Sequence, residues 1–249
     1  MSGISQEALR ELAPTGPLRA AINLGNTVLA QKDPASGELR GVTIDLANAL
    51  GREIGRRVHF ESFDAAGKIF AALKQDVWDI AFLAIEPARA AEIDFTAPYV
   101  LIEGTYMVWA DSPFRDVAEL DRAGVRISVG PDSAYDLFLK RTLQHATIVR
   151  AHTGGPRAMI ELFLADRLEA AAGVRQWLVA HAASDPNVRV LDGRFMQIRQ
   201  AMGVKKGRPA AFQYVRDFVE RMKASGFVAD ALRRSGQLDA AVAPPGDGD

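Results

Sequence analysis

The chain contains no cysteine, which excludes disulfides, thiolate nucleophiles and cysteine-held metals. Histidine is nearly as scarce: His59, His145, His152 and His181 are the four, and none pairs at the close helical spacing of a His-Glu-x-x-His zinc site. Net charge is almost absent as well, since 30 Lys and Arg stand against 31 Asp and Glu. A balance of −1 with no basic run offers no field to nucleic acid or to an acidic membrane. No apolar stretch approaches the roughly 18 residues of a membrane span. The opening Met1-Ser-Gly-Ile-Ser-Gln lacks the basic n-region and apolar h-region of a secretion signal. Either a signal was removed ahead of this start, or the protein is made without one and is cytoplasmic. A Gly-x-Ser-x-Gly elbow, a P-loop and a dinucleotide fingerprint are all missing. Neither a cofactor nor a metal is expected.

What is present is an ordered alternation. The 249 residues, 48% of them apolar, suffice for one large domain or two modest lobes. After a short polar helix ending near Pro14, Leu18 to Asn23 reads as a buried strand. The stretch from Leu24 to Arg40 reads as a polar loop, with turn residues Gly25, Asn26, Asp33, Pro34 and Gly37. Ile44, Ala47, Leu50 and Ile54 form a helical face closed by Gly55. Val58 to Phe63 is a strand and Ala65 to Lys74 a helix. Val77 to Ala84 is a near-continuous apolar run of the kind that fills a parallel sheet.

The same alternation then restarts. Strands at Val125–Val129, Ala146–Arg150 and Leu168–Gly173 intersperse with helices at Ser133–Thr142, Arg157–Ala165 and Arg175–Ala182. Two such units predict an α/β fold of two Rossmann-like lobes, residues 1–107 with 203–249 and residues 108–202. Two extended runs, Tyr99 to Ala110 and Met196 to Lys205, carry the chain out and back and form a two-strand hinge. Two helices follow, the first with Phe212, Val215, Phe218, Val219 and Met222 on one face. The acidic tail from Ala243 is expected to be disordered.

The densest chemistry lies between Asp79 and Tyr99. A buried strand runs there into a loop at its C-terminal end, where α/β ligand sites form. Arg89 follows Ala84 by five residues, near the start of a short helical turn set by Pro87. A guanidinium so placed can make two parallel bonds to a carboxylate, each worth roughly 1.5–3 kcal/mol. The alternative is a surface arginine paired with Glu86 or Glu92. Thr153-Gly154-Gly155-Pro156 is too short to cradle phosphates and reads as a turn.

Arg89 followed by Asp94-Phe95-Thr96-Ala97-Pro98-Tyr99 resembles the signature of family 3 extracellular solute-binding proteins, the polar amino-acid receptors of ABC importers. Gly41-Val-Thr-Ile-Asp45-Leu-Ala-Asn-Ala-Leu50 and Gly203-Val-Lys-Lys-Gly207 add to the likeness, which runs in order from about Leu18 to Gly236. The resemblance implies the type II periplasmic binding protein fold and a periplasmic, monomeric protein without chemistry of its own. Its lobes would close on a small solute in the interlobe cleft and present it to an ABC permease. It implies that Arg89 grips a ligand carboxylate, and that Asp94 and Tyr99 hold the loop and hinge.

Departures from the family pattern bear on the ligand. The hydroxyl residue that helps hold the carboxylate falls at Ala84, and a small residue becomes Phe82, which either stacks on a ligand or fills core. The acidic residue that binds an α-ammonium in the family falls at Val174, followed by Arg175. An ammonium buried without a carboxylate costs several kcal/mol, so a small anion is the expected ligand. Arg175 then either favours a second negative group or is a solvated helix-start arginine. Ser133 in Gly130-Pro131-Asp132-Ser133 offers a hydroxyl beside backbone N–H groups, with Asp132 as the helix cap. Asn23 and Asn26 offer amides, although Asn26 also suits a plain turn.

Two other functions remain. Relatives of this fold include cyclohexadienyl dehydratases, whose general acid would here have to be Glu86 or Glu103 in place of Val174. A soluble ligand sensor without a permease uses the same closure.

Overall fold

The structure, a computed structural model, describes residues 3–246. In chain order it opens with α1 (Gln6–Leu12), β1 (Leu18–Asn23), a two-residue pair β2 (Gln31–Lys32) and β3 (Leu39–Arg40), then α2 (Val42–Glu53) and β4 (Val58–Phe63). Next come α3 (Ala66–Ala71), β5 (Ile80–Ala84), the single turn α4 (Pro87–Ala90), β6 (Ile93–Phe95) and the long β7 (Val100–Trp109). A second series follows: β8 (Arg126–Val129), α5 (Ala134–Thr142), β9 (Thr147–Arg150), α6 (Pro156–Ala165), β10 (Ala170–Val174), α7 (Arg175–Ala182) and β11 (Val188–Val190). The chain ends with β12 (Met196–Lys205), α8 (Pro209–Ala224), α9 (Phe227–Arg234) and β13 (Ala241–Val242).

Two compact units result, residues 1–101 with 199–249 and residues 102–198. The chain leaves the first unit inside β7 and re-enters it inside β12. Both boundaries lie a few residues earlier than the 107 and 203 read from the sequence.

Each unit repeats one plan. In the first, β4, β1 and β5 run parallel, with β12 antiparallel on β5 in the register Gln200↔Ala84 to Val204↔Ile80. In the second, β9, β8 and β10 run parallel, with β7 antiparallel on β10 from Val108↔Ala170 to Gly104↔Val174. Helices connect the parallel strands, as such connections require. β5 and β10 each bury all five residues, which is why they read as continuous rather than alternating apolar runs. The first core gathers Ala21, Ile69, Trp78, Ala81, Leu83 and Ile93; the second gathers Met107, Met159, Phe163, Leu168, Ala171 and Leu178.

Several local expectations are corrected. The stretch 24–40 is only partly a polar loop: Val28, Leu29 and Ala30 are buried, and Thr43 N–H bonds back to the Leu29 carbonyl. Gly25 is required within it, because a Cβ there would collide with the Asp64 carbonyl. The helix expected over 65–74 is α3 followed by a 3-10 turn at Ala72–Gln75. The buried face of α8 centres on Ala211, Val215, Phe218 and Val219, leaving Phe212 and Met222 half-buried at its margins. The tail is docked as far as it is described. β13 pairs with Val100 and Leu101, Ala243 N–H donates to the Tyr99 carbonyl at 3.1 Å, and Lys223 Nζ binds the Pro98 and Pro244 carbonyls. Residues 247–249, like the first two, lie outside the described residues.

One buried charge ties the first sheet together. Asp79, wholly buried, accepts from Arg19 N–H and Nε at 3.0 Å and from Arg19 Nη2 at 2.7 Å. Arg208 Nη1 approaches the same carboxylate at 3.5 Å. Replacing Asp79 by Asn leaves Arg19 short of its counter-charge where water cannot replace it. The expected cost is about 3 kcal/mol, read as a lower urea midpoint at unchanged slope.

Candidate functional site

Polar groups appear where the fully buried strands end. In the first unit β1 and β5 are parallel neighbours, so Asn23 and Ala84 finish at the same edge. α4 starts three residues after Ala84 and carries Arg89, which is only 1% exposed. Arg89 Nη1 donates to the Ala84 carbonyl at 3.1 Å, folding the guanidinium back over the end of β5. Arg89 is therefore not a surface arginine. Glu86, just before α4, is buried as well.

The two asparagines serve turns. Asn23 Oδ1 accepts from Gly25 N–H at 3.0 Å and Asn26 Oδ1 from Val28 N–H at 3.3 Å, each an Asx turn. Phe82 is buried in the core, edge-on to Tyr99 with ring centroids 6.0 Å apart. Tyr99 is itself fully buried, and its N–H donates to the Gln200 carbonyl. Burial drives the Tyr99 hydroxyl far above its ordinary value. Asp94 pairs with Val204 in the β6–β12 ladder.

In the second unit the loop after β8 is held in detail. Ser133, not Asp132, caps α5: its Oγ accepts from Asp136 N–H at 3.1 Å. Asp136 returns the favour by accepting from Asp132 N–H at 2.9 Å, a capping box displaced by one residue. Asp132 sits at φ 55°, a left-handed conformation that aspartate tolerates. Arg150, at the end of β9, grips the buried Asp136 carboxylate through Nε at 3.0 Å and Nη2 at 2.8 Å. Burial pushes the Tyr135 hydroxyl, which lies against Ser133 and the Gly130 backbone, up to about 12.

Arg175 opens α7 directly after β10 and does not stand free in solvent. Its Nε donates to Glu103 Oε2 at 2.8 Å, its Nη1 to the Leu191 carbonyl at 3.4 Å, and its Nη2 to the Gly193 carbonyl. Arg194 Nη1 meets the other Glu103 oxygen at 2.7 Å. Arg194 and then Arg175 hold the Glu103 carboxyl below its ordinary range against the opposing effect of burial. Glu103, Arg194, Asp136 and Arg150 escaped sequence reasoning as partners. Only the Ser133-x-x-Asp136 spacing gave a local signal for any of them. Among the described residues no group of His, Asp and Glu could hold a metal ion, and no helix is long and apolar enough to cross a membrane.

The model of bacterial extracellular solute-binding proteins, family 3, matches residues 28–236. An amino acid ABC transporter substrate-binding protein of Streptococcus pneumoniae, solved with L-arginine, superposes with a TM-score of 0.77 at 17% identity, over 91% of this chain and 97% of its own. The solute receptor for L-cysteine of Neisseria gonorrhoeae gives 0.77 at 20% identity over 93% of both chains. An ancestral amino-acid-binding protein, a precursor of cyclohexadienyl dehydratase, gives 0.74 at 24% over 91% of this chain and 98% of its own. At these identities the likeness is one of fold, the type II periplasmic binding protein.

Glu103 makes stability pH-dependent. Its carboxyl is lowered on folding, so its contribution is full above the ordinary value of 4.5 and is lost as pH falls through the folded value. In acid, stability of the native chain is expected to fall more steeply than that of Glu103→Gln, measured by thermal melts at stepped pH. Ser133→Ala removes a helix cap at an expected cost of about 1 kcal/mol, read by chemical denaturation.

Proposed function

The chain belongs to the bacterial extracellular solute-binding proteins, family 3, and we propose that it is the substrate-binding component of an amino-acid-type ABC importer whose solute is a small anion held through a carboxylate. The observation that carries this reading is Arg89: a guanidinium 1% exposed, at the C-terminal edge of parallel strands, with one nitrogen anchored on the Ala84 carbonyl. Anchoring through Nη1 pre-sets the plane of the fork, so less freedom is lost when a carboxylate docks on it. In the second unit, the loop Gly130 to Ser133 offers backbone N–H groups of its own to an anion, with its shape already fixed by Asp136 and Arg150. Asn23 contributes through the turn it holds rather than through its amide.

The other site expectations shift with their surroundings. Phe82 acts through packing against Tyr99, and Ala84 through its carbonyl. A permease is the partner this reading calls for, and periplasmic or extracellular placement goes with the family.

A dehydratase activity has one point in its favour, the fold shared with the precursor of cyclohexadienyl dehydratase. Against it, Glu103 is a poor general acid, because two guanidinium groups favour its ionised form. Glu86 is then the remaining candidate from the sequence, and incubation with prephenate or arogenate is expected to give no product.

The central test is a thermal-shift screen of L-amino acids, their side-chain amides and small mono- and dicarboxylic acids, followed by calorimetry. At least one carboxylate should stabilise the protein. Arg89→Lys keeps the charge but not the fork and should weaken that ligand by about thirtyfold, roughly the worth of one bidentate charge-assisted contact. Stabilisation only by cationic or neutral compounds lacking a carboxylate, or unchanged affinity in Arg89→Lys, would overturn the proposal.

A further inference from the structure

The last turn of α8 carries a lysine that water hardly reaches. The Lys223 side chain is 4% exposed, and its ammonium has three protons to place. Each finds an acceptor: the Pro98 carbonyl at 3.2 Å, the Pro244 carbonyl at 2.9 Å and Glu220 Oε1 at 2.6 Å. Pro98 stands just ahead of Tyr99 and Pro244 lies in the C-terminal tail. One ammonium therefore ties the two segments together, and Glu220, a helical turn back, balances its charge.

The tail follows the same segment over several residues. β13 pairs Val242 with Val100 and Ala241 with Leu101, and Ala243 N–H donates to the Tyr99 carbonyl. A Cβ on Gly246 would stand 2.6 Å from that of Ala97, so the chain passes directly over Ala97 there. Through its other oxygen, Glu220 accepts from Gly246 N–H at 3.1 Å.

Few steps lead from this strap to Arg89. The Tyr99 hydroxyl has no hydrogen-bond partner among the described residues, so it is not what fixes Tyr99. The backbone does so. Tyr99 N–H donates to the Gln200 carbonyl at 2.8 Å, and Thr96 N–H to the Met202 carbonyl at 2.9 Å. Gln200 stands opposite Ala84 in the β12–β5 ladder, and Ile85 N–H donates to the Arg199 carbonyl at 2.9 Å. The Tyr99 ring also meets Phe82, two residues before Ala84 on β5. Ala84 is the residue whose carbonyl takes the Arg89 guanidinium. Residues 96–101 are thus clamped between β12 and the tail, while β12 sets the end of β5. Every link belongs to the first unit.

We propose that Lys223 is a positioning residue for the carboxylate site: by locking the tail onto Pro98 and Tyr99 it holds the end of β5, where the Ala84 carbonyl sets the Arg89 fork. This rests on the carboxylate-binding role assigned to Arg89 above and extends it to a residue that acts without touching the ligand. A displacement at Pro98 reaches Arg89 through contacts that are all packed or hydrogen-bonded.

Calorimetry on the full chain tests this, at a temperature where every variant is folded. The probes are acetate, succinate, L-glutamate, L-glutamine and the other carboxylates of the screen, and the one that binds tightest is used throughout. Lys223→Met removes the ammonium at nearly the same side-chain length and should weaken that carboxylate about threefold, half a decade in binding constant. In Arg89→Lys the same change should cost less than about 1.5-fold, because the fork whose placement Lys223 secures is no longer there. Asp79→Asn, at the other end of β5, lowers stability and should leave affinity unchanged, which separates positioning from loss of stability alone. Should Lys223→Met not fold, Ala243→Pro takes its place: it deletes the N–H that binds the Tyr99 carbonyl and leaves Lys223 intact, with the same losses expected. Unchanged affinity in the variant used, or equal losses with and without Arg89, would overturn the positioning role while Arg89→Lys still weakens binding. If no carboxylate binds the native protein, the role of Lys223 and the reading of Arg89 fall together.

Discussion

β5 and β10 bury every one of their residues, and a strand with water on neither face tolerates no polar side chain along its length. For β5 and β10 the polar groups come just past the strand end. Ala84 hands over to Glu86 and Arg89, Val174 to Arg175, Val129 to the loop that Ser133 closes. Parallel pairing gathers those ends on one edge of each sheet, so groups distant in sequence become neighbours without any loop having to reach. The antiparallel strands β12 and β7 then bring a further set of residues to the same edges from the opposite direction, Glu103 among them.

The polar residues at these edges are anchored within the chain. Arg89 rests on a carbonyl, Ser133 caps a helix, and Asp136 ties the loop to Arg150. Anchoring of this kind leaves a polar group little conformational freedom still to lose. Some residues that look like ligand contacts in sequence use their side-chain oxygen as an acceptor within the chain. Asn23 and Asn26 are of this kind, each consumed by a turn that positions the backbone around it.

Much of the fold was legible because its signals are local. The apolar runs of β1, β5 and β10, the helix ends and the restart of the alternation are all written within a dozen residues of one another. β6, β11 and β13 were missed because they are two or three residues long and exist only through pairing with β12 or β7. Asp132 and Ser133 are both good caps, and side-chain geometry rather than residue type chose between them. Arg89 stood out in the sequence through the motif around it, but its burial was not legible. The Glu103–Arg175 pair spans 72 residues and no periodicity announces it. Its absence from the sequence reading left Arg175 open between an anion contact and a solvated helix-start arginine.

The two units are unequal in how they are strung. The second is one continuous segment, 102–198, whereas the first needs both the beginning and the end of the chain. During synthesis, residues 102–198 are complete and able to collapse as a unit while the first sheet still lacks β12, the strand on the far side of β5. The first sheet can close only when β12 has emerged. Its long-range pairing makes it the slower to form and, with β5 unpaired along one edge in the interval, the more exposed to misassociation.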